Sequence, residues 1–169
     1  MTVKDLNELY DYSCWANQEL FRVLSQLPPN QFTQTVGGSY GSIRNTLVHM
    51  MSAEWGWLSR CGGSERGAAL APNDYPTCDS VKNTWKKIEI YVRHFLSRLE
   101  DDDLNRIVEF TLGSSQKRSM SIGDLLHHAI VHGVHHRGQV ALMLRTLGYA
   151  PGNFDLLFYY AEKRAMTGQ

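Results

Sequence analysis

The chain has 169 residues, enough for one domain with a sizeable core. Its 17 basic and 17 acidic residues cancel to a formal net charge of +0. A duplex-binding domain would show a basic stripe against phosphates, and Lys86-Lys87 and Lys117-Arg118 are only small doublets, so no nucleic-acid partner is expected.

No run of about 18 apolar residues is visible, and no basic-then-apolar leader. Neither a membrane span nor a signal peptide is expected, and a cytoplasmic location follows by default. Cys14, Cys61 and Cys78 form no C-X-X-C pair and fit reduced cytosolic thiols. Cys14, beside Trp15, reads as core packing. Cys61 and Cys78 flank a loop, and neither is expected to be reactive.

In chain order, Thr2 is a candidate cap for a first helix. Leu6, Leu9, Tyr10, Trp15, Leu20, Leu24 and Leu27 carry its periodicity to about residue 27, where Pro28-Pro29 stops it. Gln31–Gly41 is polar, contains Gly37-Gly38, and reads as a loop with room for one short helical turn. Ser39 and Tyr40 in it could approach a site, although nothing in the sequence requires it. Ser42 caps a second helix to Arg60, and Gly62-Gly63 ends it. Residues 62–79 make a long connection that could cross the bundle or roof a site. Asp79 or Ser80 is the candidate cap of a third helix, Val81–Leu99. Its apolar face is Val81, Trp85, Ile88, Tyr91, Val92, Phe95 and Leu99. Arg106–Thr111 alternates like a strand, Gly113-Ser114-Ser115 reads as a turn, and Lys117–Met120 can pair back. Ser121 starts the last long helix, which Gly148 and Pro151 end; Phe154–Ala165 then fits a short terminal helix.

The last long helix holds five of the seven histidines in Leu125–Arg145. At roughly 100° per residue, Leu125, His128, Ala129, His132, His136, Gln139 and Met143 share a stripe. Residues four apart rise by ~6 Å, so two imidazoles so spaced can converge on one ion. His128 and His136 are about 12 Å apart along the axis, so all three do not easily share it. The chelating pair is then His128 with His132, or His132 with His136. A lone histidine on an apolar helix is usually a satisfied core or surface residue. Three on one stripe, amid Leu126, Ile130, Val131, Val134, Leu142 and Leu144, argue for a metal, because unpartnered buried imidazoles are costly. His127 and His135 lie off the stripe and suit solvent, hydrogen bonding or an interface.

A further ligand must come from another element. His49 sits on a small, polar side of the second helix with Asn45, Ser52, Ala53 and Gly56, opposite Ile43, Leu47, Met50, Met51 and Leu58. That side could border a cavity or be plain solvent face. His94 has basic neighbours and no second histidine at helical spacing, and reads as structural.

Leu47-Val48-His49 with Glu54 and Trp57, followed by His132-Gly133-Val134-His135-His136-Arg137-Gly138-Gln139, resembles the DinB family of the DinB/YfiT superfamily. Leu9-Tyr10-Asp11-Tyr12 and Trp15-Ala16-Asn17 are similar to that family's opening helix. The resemblance implies an all-α, four-helix bundle over residues 1–169, with the expected short terminal helix and hairpin as additions. It also implies three metal ligands at His49, His132 and His136, which leaves His128 aside. Three nitrogens with open positions resemble a catalytic site. The expected ion is a divalent transition metal, zinc or nickel first.

The resemblance further implies a metal-dependent transferase or isomerase that acts with a low-molecular-weight thiol on a small electrophilic substrate. The alternatives are a non-enzymatic stress protein with a structural ion, or a metal-hydroxide hydrolase, for which no general base is identifiable. Gln139, on the histidine stripe, could touch substrate or support a ligand. Arg137 points elsewhere and suits a structural salt bridge. Glu54 lies far from His49 on the wheel and has no expected catalytic role. A nearly all-apolar last helix must be covered on most sides, which favours a homodimer with Ile130, Val134, Ala141 or Leu144 near the seam.

Overall fold

In a computed structural model of the chain, the structure describes residues 1–64, 68–112 and 116–168. Six helices and one hairpin follow the order α1 (Val3–Leu24), α2 (Pro29–Thr33), α3 (Ile43–Cys61), α4 (Cys78–Leu96), β1 (Ile107–Leu112), β2 (Gln116–Ser121), α5 (Ile122–Thr146) and α6 (Leu156–Thr167). The long helices make a four-helix bundle in which α1 packs on α4 and α5, and α3 packs on the same two. The all-α reading therefore holds, hairpin included. The turn expected at 113–115, and residues 65–67 of the long connection, lie outside the described residues.

Local chemistry explains most boundaries. Thr2 and Asp5 form the capping box of α1, each satisfying a backbone N–H of the other. The helix ends at Leu24, short of residue 27, because Gln26 and Leu27 donate to the carbonyls of Val23 and Leu24 and tighten the chain into turns. Pro29 opens the short α2, with its missing N–H at a position that needs none. Ser42 caps α3 by accepting the Asn45 N–H. The third long helix starts earlier than its sequence suggests. Thr77, not Asp79 or Ser80, is its cap, with Ser80 completing a capping box, and the helix stops at Leu96. Ser121 caps α5 as expected, by accepting from the Asp124 N–H.

The core is the shared apolar face of these helices. Leu6, Leu20 and Leu24 of α1 meet Leu47, Val48 and Met51 of α3, Val81 of α4, and Leu125, Val140 and Leu144 of α5. Tyr91, expected on the apolar face of α4, is instead 51% exposed. α6 packs on α1, where Tyr159 stacks with Tyr12 and Trp15.

Two charged groups are folded into this interior. Glu54 of α3 accepts from the Tyr10 hydroxyl of α1 (2.8 Å) and the Trp85 indole of α4 (2.9 Å), so one carboxyl ties three helices. Burial pushes its pKa up; those two hydrogen bonds and the Arg137 charge pull the other way. Arg137 of α5 is only 2% exposed. It donates from Nη1 to Asn17 Oδ1 (3.0 Å) and Ser13 Oγ (3.2 Å) of α1, and it lies over the Tyr12 ring. Gly133 makes this possible: a Cβ there would lie 3.2 Å from Arg137 Nη1. The role is structural, but the salt bridge expected from the sequence is replaced by neutral partners and an aromatic face.

Removing this side chain should be expensive, since it strands Ser13 and Asn17 and opens a void between α1 and α5. Arg137→Ala is expected to lose about 3 kcal/mol of stability, within the range for breaking a buried polar network. For a chain of this size that lowers the melting temperature by roughly 6–12 °C in calorimetry.

Candidate metal centre

α3 and α5 form the most extensive helix pair of the bundle. Ser52, Ala53 and Gly56 on the small side of α3 are buried, so that side is a packing surface and not a solvent face. It also takes the connection after residue 67: the Leu70 N–H donates to Ser52 Oγ at 3.0 Å.

Against this pair His49 of α3 meets His132 and His136 of α5. The Nε2 atoms of His49 and His132 are 3.2 Å apart, and those of His132 and His136 are 3.1 Å apart. One ligand atom from each of the three rings lies within 4.8 Å of the other two. A tetrahedral ion with metal–nitrogen bonds of ~2.0–2.1 Å sets its ligand nitrogens about 3.3 Å apart. The arrangement is therefore one that could hold a metal ion. His136 is buried, and His49 and His132 are partly exposed, so one side of the cluster remains accessible.

The surroundings fix the rings. His136 Nδ1 lies 2.6 Å from Gln139 Oε1. An amide oxygen only accepts, so Nδ1 carries the proton and Nε2 keeps its lone pair for a cation. Gln139 Nε2 in turn lies 3.0 Å from His135 Nε2. Gln139 thus supports a candidate ligand and gives His135 a partner. His128 stacks on the edge of Trp57, 5.0 Å between centroids, and stays outside the cluster. His127 and His94 are exposed. Glu54 is engaged with Tyr10 and Trp85.

Sequence reasoning left Tyr40 undecided. Its ring stacks on that of His49, 4.0 Å between centroids at 20°, and its hydroxyl is 3.0 Å from His49 Nε2. The signal was the run Gly37-Gly38-Ser39-Tyr40-Gly41: Gly38 (φ 70°) and Gly41 (φ 82°) occupy backbone conformations that other residues rarely adopt. They let the loop close through Val36 N–H to Gly41 O and Gly41 N–H to Gly38 O. Asn45 Nδ2 pins the Tyr40 carbonyl at 3.1 Å.

Burial, with the positive fields of His136 and His49 adding to it, holds the His132 pKa down at about 4. Burial also lowers that of His136. Both rings are thus neutral near pH 7, the form that binds metal. The three cysteines are free. Burial raises the thiol pKa of Cys61 to about 12 and of Cys78 to about 11, which makes both poor nucleophiles.

A helical bundle with an accessible three-histidine cluster between two of its helices defines a class of candidate metalloproteins. The family model for the DinB family matches residues 1–166, and the chain belongs to that family. It is 29% identical to Protein DinB of Bacillus subtilis (strain 168) over 157 residues, covering 90% of this chain and 91% of that one. It is 24% identical to the uncharacterized protein YizA of the same organism over 144 residues, covering 85% and 89%. Among solved structures, a DinB-like protein from Bacillus cereus ATCC 10987 superposes with a TM-score of 0.71 at 23% identity, covering 90% of this chain and 97% of that chain.

The lowered His132 pKa fixes the sign of an acid response. Between its ordinary 6.5 and about 4, the unfolded chain takes up a proton that the folded ring refuses. Metal-free protein should therefore lose stability as pH falls through that window. Melting temperatures measured across it should drop for the wild type and drop less steeply for His132→Ala, in which the lowered His136 still contributes; a flat wild-type profile contradicts the assignment.

Proposed function

We propose that this protein is a metal-dependent enzyme of the DinB/YfiT type. In this reading His49, His132 and His136 hold a divalent transition metal, zinc or nickel first. Held by these three rings, such an ion would supply Lewis acidity that favours the thiolate form of a thiol at neutral pH. The reaction is S-transfer to a small electrophile: a carbon–sulfur bond forms at the electrophilic carbon as its leaving group departs, or as its double bond takes up the thiol's proton. The observation that carries the reading is the meeting of three Nε2 atoms on a partly exposed side of the α3–α5 seam. Within the chain, His132 and His136 present neutral nitrogens, Gln139 orients His136, and the bundle buries one side of the cluster. Hydrolysis by metal hydroxide is less favoured, because the Glu54 carboxyl on the same helix as His49 already serves Tyr10 and Trp85.

The same proposal takes residues 1–169 as one domain, free cysteines as a sign of the cytoplasm, and the molecule as a homodimer. The interface is redrawn from its sequence version. Ile130, Ala141 and Leu144 are buried within the chain, Ile130 and Leu144 as part of the bundle's own core. Val134 stays exposed, beside Val131 (51%) and Leu142 (65%) on the same helix, and these three are the proposed seam. No helix among the described residues is long and apolar enough to cross a membrane.

Elemental analysis of purified protein should find about one divalent transition-metal ion per chain, and His49→Ala should lose it while His94→Ala keeps it. A loaded wild type whose folding depends on the ion, yet which shows no thiol-dependent spectral change, favours a structural ion over an enzyme. Light scattering should give twice the subunit mass, and Leu142→Glu should reduce it to one; a wild-type mass of one subunit removes the dimer.

A further inference from the structure

We infer that Tyr40 is the positioning residue of the proposed metal site, donating its hydroxyl to whatever occupies the open coordination position. This rests on the three-histidine reading above. Among the described residues, the Tyr40 hydroxyl is paired with His49 Nε2 at 3.0 Å. That nitrogen's lone pair is the one the ion would take. With the ion bound, the phenol loses its acceptor but cannot easily leave. Its ring is stacked on His49, its centroid is 5.7 Å from that of His136, and its carbonyl is held by Asn45. The loop behind it is closed by two backbone hydrogen bonds.

A hydroxyl fixed at the rim, 3.0 Å from one candidate ligand nitrogen, is within reach of a small group held by those nitrogens. Tyr40 is also 43% exposed, so its ring stands on the solvent side of the cluster, the side from which a thiol or anion would enter. An O–H donor there stabilises an anionic ligand, such as a thiolate, more than a neutral one. The metal-free hydrogen bond to His49 is then the resting half of a two-partner arrangement.

Cobalt-loaded protein titrated with azide tests this through the visible spectrum of the ion, with no catalytic assay. Tyr40→Phe keeps the ring and its stacking, so it should bind cobalt in the same ratio as the wild type. Its azide dissociation constant should rise about tenfold or more, the loss of one hydrogen bond to an anion. Asn45→Ala, which keeps the phenol but frees its backbone, should shift the constant in the same direction by less, and decides the matter if Tyr40→Phe does not fold. Cobalt binding with unchanged azide affinity in these variants overturns the role of Tyr40 alone. Failure of the wild type to bind cobalt overturns the metal reading beneath it.

Discussion

Three imidazole nitrogens pointing at one another are the constraint around which this bundle is arranged. Lone pairs so close repel, and on the buried His136 side no solvent can separate them. A cation at their centre turns the repulsion into attraction. Metal-free, the cluster must share whatever protons it can, and burial with mutual repulsion holds His132 near a pKa of about 4. The geometry tolerates little slack. His49 comes from α3 and its partners from α5, so the two helices must pack in one register. Ser52, Ala53 and Gly56 serve that register by keeping the α3 surface shallow where the helices and the connecting segment close in.

The rest of the interior holds the register from the other side. Arg137 follows His136 directly and, about 100° further round the helix, reaches α1, where Ser13 and Asn17 accept from it. Glu54 lies five residues beyond His49 and ties α3 to α1 and α4. Each half of the cluster is thus next to a buried polar anchor reaching away from it. Such groups contribute less to stability than an apolar core of the same volume, but their partners are specific. A slip of one turn in α5 would leave the guanidinium without acceptors as well as scattering the three histidines.

Much of this was legible in the sequence because helical periodicity and histidine spacing are local. The wheel grouped His132 with His136 and put His49 on a side separate from the α3 core stripe, and the family pattern then singled out these three. What periodicity does not encode is which neighbour covers a face. Ile130, Ala141 and Leu144 read as candidates for an interface between chains, yet all three are buried within this one, and Ile130 lines an interior cavity with Leu6, Leu58 and Val92 of the other long helices. The Arg137 salt bridge failed for the same reason, since its acceptors lie about 120 positions away in sequence. Tyr40 was hidden because a loop hydroxyl has no periodicity; only the glycines around it hinted at a shaped turn. The start of α4 was missed through competition between adjacent capping residues, with Thr77 winning because Ser80 returns its hydrogen bond.

The central claim is a single coordination shell drawn from two helices, and X-ray absorption at the edge of the bound metal reads that shell directly. The account predicts three imidazole nitrogens at ~2.0–2.1 Å, completed by one or two light exogenous scatterers. A shell with sulfur from Cys14, Cys61 or Cys78, or one with fewer than three imidazoles, would contradict it.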